Sequence, residues 1–415
     1  MATLVVGCGF KLIGNIEEQL PDEKVVVIEH PQVIEARGQR DKIKGHPNVL
    51  ALLAGDFVHD LDPRALVGLI PPDITIDRVL PATDEMSTVG SAYLAEELGL
   101  PGATVRAAEI FRDKLKLREA AHAAGLRNPR WREIHDLDGL RSAASELAGG
   151  GLVVKPTGRS GSQGVVLLGP DDDLAEAWRH TTTAEGRIKI DPPPFTRYLV
   201  EERLYGAEIS VECLVADGEV VFGNITGKHV LPGPFPVEVG HVVPAALSPA
   251  TEKELLDAMR ALVDATGFAY GVLHCEWILT ADGPALVECA GRIPGDRITD
   301  LMTIAYDAPF MAAYATLMTG RPGETTMPDA AAQVSAIKFL TAPAAGVVGE
   351  IAGLDEAAAA PGVHAAQVTV KVGAEVTEAR ASRDRIGHVL AVGADHEQAW
   401  ERVERAAELI EVTVR

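Results

Sequence analysis

Two glutamates flank a short hairpin pattern. His274-Cys275-Glu276-Trp277-Ile278-Leu279 reads as one strand, Asp282-Gly283 as the turn, and Leu286-Val287-Glu288-Cys289-Ala290-Gly291-Arg292 as the return. Folding about Asp282 sets Glu276 opposite Glu288. Directly opposed side chains in an antiparallel pair sit ~5 Å apart, where like charges repel. A hard divalent cation relieves that repulsion, and Mg²⁺ takes a few carboxylate oxygens together with substrate phosphates. The hairpin therefore reads as a metal floor for a nucleotide triphosphate. The alternative is a plain hairpin with two solvated glutamates.

Other residues carry complementary chemistry. Lys155 ends the apolar run Leu152-Val153-Val154-Lys155-Pro156 and precedes Gly158-Arg159-Ser160-Gly161-Ser162-Gln163-Gly164. Glycines let successive backbone N–H groups approach phosphate oxygens, and a lysine adds a point charge. The loop lacks Gly-Lys-Ser/Thr, so it is not a Walker loop. A flexible hairpin loop is the other reading. Lys114 falls in the first turn of a helix expected over residues 111–124, a position where a cation is better placed beside a bound anion. Leu199-Val200-Glu201-Glu202-Arg203-Leu204 leaves a strand, and Glu208 begins the next. Free backbone groups at such an exit suit a purine edge, and a carboxylate suits ribose hydroxyls. Gly7, Gly9 and Gly14, with Glu29 after the second strand, form a weak dinucleotide pattern whose third glycine is two places late.

The elements that must position these residues are ordinary for a globular protein. The 415 residues suffice for two or three domains, with 47% hydrophobic and 24% charged residues. A net charge of −22 gives no general basic field for nucleic acid. Cys8, Cys213, Cys275 and Cys289 form no C-x-x-C, and three of them lie in apolar strand-like runs and read as reduced core residues. No apolar run approaches the ~18 residues of a membrane span, and the N-terminus has no signal-like basic region, so the expected location is the cytoplasm. Residues 1–108 alternate strand and helix, which favours a parallel α/β sheet. Asp217-Gly218 between two apolar runs is a two-residue hairpin. A Pro/Gly-rich loop is expected over 226–244, a helix over 251–266, and a boundary near 320–332. After that come strand, loop, strand and a final helix capped by Asp395.

In this order the motifs resemble the ATP-grasp superfamily of carboxylate–amine ligases across nearly the whole chain. The resemblance implies an α/β (α+β) fold with three parts. These are a Rossmann-like domain (1–108), a two-lobed ATP-grasp domain (109–322, lid about 130–200), and a small C-terminal α+β subdomain (323–415) packed on the core. It implies that Lys114 and Lys155 hold ATP phosphates and that residues 158–164, including Gly158, Ser160, Gly161, Ser162, Gln163 and Gly164, close over them. Glu201 and Leu204, with Glu202 beside them, match the adenine hinge, and Glu208 matches the ribose acid. Glu276 and Glu288 match the magnesium ligands, and Arg292 the arginine that steadies the carboxylate or acyl-phosphate. The family's Glu-x-Asn-x-Arg reads Glu288-Cys289-Ala290-Gly291-Arg292 here, and Ala290 cannot ligate a second Mg²⁺.

Within the superfamily the chain is most similar to L-amino-acid ligases that make dipeptides and dipeptide-like products. Two stretches carry this, Thr226-Gly227-Lys228-His229 with Phe235 to Pro244, and Ala290 to Asp296. The resemblance implies substrate contacts from Lys228, His229, Glu238 and His241 on the long loop, and from His274, Arg292, Gly295 and Glu85. The implied cofactors are ATP and two Mg²⁺ ions. The implied partners are a small carboxylate and an amine, both amino acids, with no nucleic acid or membrane and with a homodimer as the relatives' common form. A carboxylate would attack the γ-phosphate, and the amine would then attack the acyl-phosphate. Glu238, His241 and Glu85 are candidates for taking the amine proton. Three rivals stand beside this reading. They are a carboxylase or purine-pathway ligase (no Met-Lys-Met biotinylation sequence occurs), a non-catalytic nucleotide-binding module, and a dinucleotide oxidoreductase resting on Gly7–Gly14 alone.

Overall fold

The computed structural model describes residues 1–415 apart from 60, 148, 160, 186–188, 192, 195, 234 and 322–326. Ser160 and the expected boundary at 322/323 thus lie outside the described residues. The chain begins with β1 (Ala2–Val6), β2 (Val25–Glu29), β3 (Val49–Ala54) and β4 (Ile76–Pro81). They form a four-stranded parallel sheet in the order β3-β2-β1-β4. β1 and β2 are buried along their whole length, as continuous apolar runs covered on both faces must be. This is the parallel α/β layer expected over residues 1–108.

Glu29 does not face a ribose. Its carboxylate accepts the N–H groups of Cys8 (2.9 Å) and His30 (2.7 Å) and the amide of Gln39 (3.3 Å). The acid that the weak glycine pattern suggests is engaged by the protein's own backbone.

A second sheet contains β5 (Trp131–Ile134), β6 (Leu152–Pro156), β7 (Val166–Leu168) and β8 (Tyr198–Glu202), antiparallel in the order β5-β8-β6-β7. Two helices, Leu137–Leu147 and Leu174–Thr183, close its core over Leu140, Val154 and Val200.

The remaining strands are β9 (Ala207–Ala216), β10 (Glu219–Val230), β11 (Glu238–Val243), β12 (Gly271–Thr280), β13 (Gly283–Ala290), β14 (Val334–Thr341), β15 (Gly346–Ala352), β16 (Val363–Val368), β17 (Glu375–Val376), β18 (Arg385–Gly393) and β19 (Glu411–Val414). Eight of them make one sheet, β13-β12-β9-β10-β11-β14-β18-β16, and β17-β15-β19 form a small separate one. The C-terminal strands β14, β18 and β16 therefore extend the central sheet itself. Asp217 (φ 51°) and Gly218 (φ 77°) make the β9–β10 turn, the left-handed pair that a tight hairpin requires.

Two sequence expectations need correction. The helix expected over 111–124 is two helices, Val105–Arg112 and Lys114–Ala123, broken at Asp113. Asp113 caps the second through its side chain, accepting the Leu115 N–H at 3.0 Å, and its carboxylate also pairs with Arg197. The loop expected over 226–244 is mostly strand. β10 runs to Val230 and β11 starts at Glu238, paired Lys228 to His241 and His229 to Gly240. Gly240 belongs there because a Cβ would lie 2.5 Å from the Trp400 ring. It marks a close approach within a strand, which a Pro/Gly count misreads as loop.

Candidate active site

The β12–β13 hairpin sets Glu276 directly opposite Glu288. The route to that pairing differs from simple symmetry. The strands pair Thr280 with Gly283 and Trp277 with Leu286, and a bulge beside Glu276 then brings in Glu288 where Val287 would have stood. Bulges re-aim side chains in this way beside functional sites. Each carboxylate carries a lysine: Lys228 Nζ lies 2.6 Å from Glu276, and Lys114 Nζ 2.8 Å from Glu288.

Lys228 sits among three acids, at 2.5 Å from Glu238, 2.6 Å from Glu276 and 3.4 Å from Glu208. Burial opposes charge on Lys228, but the three carboxylates hold its pKa well above the ordinary lysine range. Glu208, buried and beside Glu276 and Glu238, is pushed up to about 7 despite Lys228. Behind Glu276 lies His274, whose Nδ1 is 2.9 Å from Glu212 and whose Nε2 is 3.6 Å from Glu276. Burial disfavours its charged form, yet bonding to Glu212 and Glu276 raises its pKa to about 9. Glu212 is fully buried and also accepts from Ser210 (2.7 Å), Asn224 (2.8 Å) and Thr226 (2.7 Å).

This floor lies in a cavity of about 1050 Å³ between the two antiparallel sheets, the N-terminal layer and the C-terminal strands. Lys155 on β6 is buried, with its ammonium 2.6 Å from Glu201. Glu201 also receives Arg118 Nε at 2.6 Å, and Arg118 donates to the carbonyls of Leu286 (3.2 Å) and Val287 (2.5 Å) on β13. Burial would raise the Glu201 pKa, but Arg118 and Lys155 hold it below the usual carboxylate range. The Glu201 carboxylate is thus committed to two cations, which leaves its backbone for any contact with a base. Glu202 is held by Arg130, through its N–H (2.9 Å) and Nε (2.7 Å), and Glu202 and Leu204 line the same wall.

Gly161 (φ 62°), Ser162 (φ 60°) and Gly164 (φ 75°) give the loop after β6 its left-handed turns. Lys114 Nζ donates to the Arg159 carbonyl at 2.7 Å, and Ser162 Oγ to the Pro236 carbonyl at 2.9 Å. The loop is therefore tethered both to the floor and to the β10–β11 connection. Gln163 lines the cavity, and Gly158 lies against the Arg112 guanidinium, which a Cβ there would meet at 2.7 Å.

At the other end Arg292 donates to Glu85 at 2.5 Å and to the Ile293 carbonyl at 2.9 Å. Its Nε is buried with no partner among the described residues, a donor available to an anion. Against burial, Arg292 and Lys114 pull Glu85 down to about 2. Neighbouring Asp84 rises to about 6 through burial and the Glu29 charge. Glu238 and Gly295 line the cavity as well.

Two of the expected substrate residues are elsewhere. His229 alternates away from Lys228 on β10 and stacks on Trp400, with ring centroids 3.6 Å apart. His241, the register partner of Lys228, is fully buried beneath the lining, 3.4 Å from the cavity-lining Asp296.

Sequence reasoning passes over several residues. Asp296 (φ 51°) and Arg297 (φ 61°) are consecutive left-handed residues, each costing about 1–2 kcal/mol, a strain that clusters at functional turns. Arg385 from β18 clamps Asp296 at 2.5 and 2.8 Å. His388, one cavity side over, is lowered to about 4 by burial and by Arg297 and Lys11, so its ring is neutral. No local motif joins positions so far apart. The left-handed Asp-Arg pair carries no signal before the fold is known.

Glu276 and Glu288 are opposed carboxylates of the kind a divalent cation takes, each now paired with an ammonium group with which a metal would compete, and Glu276 also has Glu208 and Glu238 oxygens within 4.8 Å; Ala290 offers no ligand atom. The described helices include none long and apolar enough to cross a membrane.

Comparison with known proteins agrees with this architecture. Residues 150–300 match the family model of the ATP-grasp domain, and residues 338–415 that of the L-amino acid ligase C-terminal domain 2. An alanine–anticapsin ligase of Bacillus subtilis (strain 168) is 29% identical over 228 residues, covering 51% of this chain and 48% of that protein. The crystal structure of an L-amino acid ligase from Bacillus licheniformis superposes with a TM-score of 0.82 at 22% identity, over 100% of this chain and 99% of that one. A phosphoribosylglycinamide synthetase from Anaerococcus prevotii follows at 0.71 and 16%, over 100% and 99%. At such identities the structural likeness speaks for the fold. The chain spans 66%, 48% and 49% of the lengths of the first curated relatives it matches. Residues 150–300 are thus an ATP-grasp domain, followed over residues 338–415 by an L-amino acid ligase C-terminal domain.

Proposed function

We propose that this protein is an ATP-dependent ligase joining the carboxylate of an amino acid, or a related acid, to an amine. The observation that carries the reading is the floor: Glu276 opposite Glu288, each capped by a lysine, between a buried Lys155 and an Arg292 with an available donor. The cavity of about 1050 Å³ is ample for a nucleotide with two small substrates, since single-ligand pockets run about 300–1,000 Å³. The C-terminal domain match and the alanine–anticapsin ligase relative support amino acids as the substrate class.

In this reading a carboxylate oxygen attacks the γ-phosphorus and the bond to ADP breaks. Lys155 and Lys114 neutralise charge on the phosphates, and the 158–164 loop excludes water that would hydrolyse the acyl-phosphate. Glu276 and Glu288 would hold Mg²⁺, which supplies charge neutralisation on the phosphates when bound. Arg292 Nε would hold the carboxylate and then the acyl-phosphate. The amine nitrogen attacks the acyl carbon, phosphate leaves with the bonding pair, and the proton passes to a base. Of the three base candidates, Glu85 is paired with Arg292, His241 is fully buried against Asp296, and Glu238, though paired with Lys228, shares that lysine with Glu276 and Glu208, which favours Glu238. Leu204 and the Glu201–Glu202 backbone would meet adenine, and Glu208 the ribose.

Phosphate release from Mg-ATP across single and paired amino acids, with mass spectrometry of products, tests this. Release that needs a particular pair, with a product one water lighter than the sum, establishes it. No release with any pair, despite ATP binding, would overturn the amino-acid assignment and favour the purine-pathway kind of acceptor, to which phosphoribosylamine–glycine ligases among the sequence relatives point.

A further inference from the structure

Outside the cleft, two adjacent strand ends of the N-terminal layer carry three metal-ligating side chains. β2 and β3 are parallel, with Glu29 opposite Ala54, so His30 and the loop bearing Asp56 and His59 leave the same end of the sheet side by side. One ligand atom from each of His30, Asp56 and His59 lies within 4.8 Å of the others.

The two separations to the shared Asp56 oxygen suit a particular geometry. His30 Nε2 is 3.4 Å from Asp56 Oδ2, and His59 Nδ1 is 3.3 Å from the same oxygen. Good N–H···O bonds centre near about 2.9 Å, so both are long. Bonds of about 2.0–2.1 Å to a tetrahedral metal put neighbouring ligand atoms about 3.3 Å apart. Octahedral Mg²⁺ at similar bond lengths needs edges near about 3.0 Å and prefers oxygen to imidazole.

The carboxylate is already aimed. Asp56 Oδ1 accepts the N–H groups of Val58 (2.8 Å) and His59 (2.9 Å), which leaves Oδ2 facing both rings. His30 is buried and turns Nε2 toward Asp56; its Nδ1, across the ring, has no partner among the described residues and can carry the ring proton while Nε2 offers its lone pair to a metal. His59 is exposed and opens the cluster to solvent.

We propose that His30, Asp56 and His59 form a site for a zinc-class divalent cation, tetrahedral, with the fourth position open. It would pin the loop after β3 to the end of β2. Two residues beyond His30, Gln32 Nε2 donates to the Asp191 carbonyl (2.7 Å) and Gln32 Oε1 accepts the Asp191 N–H (2.8 Å). The ion would thus steady the surface that carries the Gln32–Asp191 contact.

The test is titration of tag-free, chelator-stripped protein with Co²⁺ and Zn²⁺, without Mg²⁺ or nucleotide. The expected result is one equivalent bound with the intense visible bands of tetrahedral cobalt. His59→Ala, at an exposed position that leaves the fold intact, should weaken binding by about 100-fold, at least the cost of losing an outer-shell partner. Glu288→Ala should leave it unchanged, which separates this site from the cleft. A weak octahedral spectrum, no stoichiometric binding, or equal affinity in His59→Ala would each overturn the proposal.

Discussion

Lys155 and Glu201 offer a test in which stability and turnover should part company. Both side chains are buried and 2.6 Å apart, and Glu201 has a second cation, Arg118, also at 2.6 Å. Removing one partner of a buried ion pair costs about 3–5 kcal/mol when it strands the other charge. Lys155→Met strands nothing, because Glu201 keeps Arg118. Its cost should be that of one charge-assisted hydrogen bond, about 1.5–3 kcal/mol. Glu201→Gln instead leaves two buried cations without a countercharge, so its cost should reach about 3–5 kcal/mol. Catalysis should order the other way. Lys155 is the group proposed to meet developing phosphate charge, and losing one such preorganised donor costs about 10²–10³ in kcat. Urea unfolding and Mg-ATP-dependent phosphate release on the same preparations measure both quantities. If Lys155→Met turned over within tenfold of the parent, or were the less stable of the two, this division of labour would be wrong.

Other outcomes follow from the same geometry. Glu288→Ala should lower turnover by about 10³ or more while the melting temperature moves little, since the side chain is a quarter exposed (25%) and its partner Lys114 keeps the Arg159 carbonyl. Lys228→Met should abolish turnover, whereas His229→Ala, one residue on but stacked on Trp400, should change kcat/KM by less than about threefold, a change within about 0.6 kcal/mol. His274 has a folded pKa of about 9 against an ordinary histidine value of 6.5, so its charged form is favoured by the fold. Its contribution, up to about 3 kcal/mol, is complete below pH 6.5 and is lost as pH rises through 9. Thermal melts across that window should fall for the parent and flatten for His274→Gln. Glu238→Gln should still make ADP from the correct pair of substrates but yield less amide, read by the ratio of product to phosphate.

Much of the floor is legible in the sequence because it is local. A hairpin of known turn and two-residue period places Glu276 and Glu288 together within a stretch shorter than a single helix–turn unit, although the bulge and not symmetry completes the pairing. Lys155 and the loop after it are likewise a strand end and its exit. The misreadings have a common physical source. Glycine at 240 and the prolines before it look like loop, yet that glycine exists to admit the Trp400 ring from a helix far along the chain. Asp113 looks like a helix interior because nothing nearby in sequence announces that it caps the next helix and pairs with Arg197. His229 and Lys228 look equivalent in a loop, and only strand alternation sends Lys228 to the cleft and His229 to Trp400.

The two ends of the cavity differ in how they are built, and that difference bears on specificity. The end proposed to take the nucleotide uses consecutive motifs, with Lys155, the glycine loop and the exit of the next strand all contributed by β6, β8 and their ends. The end proposed to take the substrates is assembled from Glu85 after β4, Arg292 to Arg297 after β13, and Arg385 and His388 on β18. Arg385 reaches both Asp296 and the Glu238 carbonyl (3.3 Å), so the C-terminal strand holds the turn and the start of β11 in one arrangement. β18 belongs to the central sheet, so this wall cannot shift without disturbing the β14 ladder that joins it to β11. On the proposed reading, substrate choice is set by contacts between segments remote in sequence. A change at Arg385 should alter which acid or amine supports phosphate release while the affinity for ATP, measured separately, is left largely as it was.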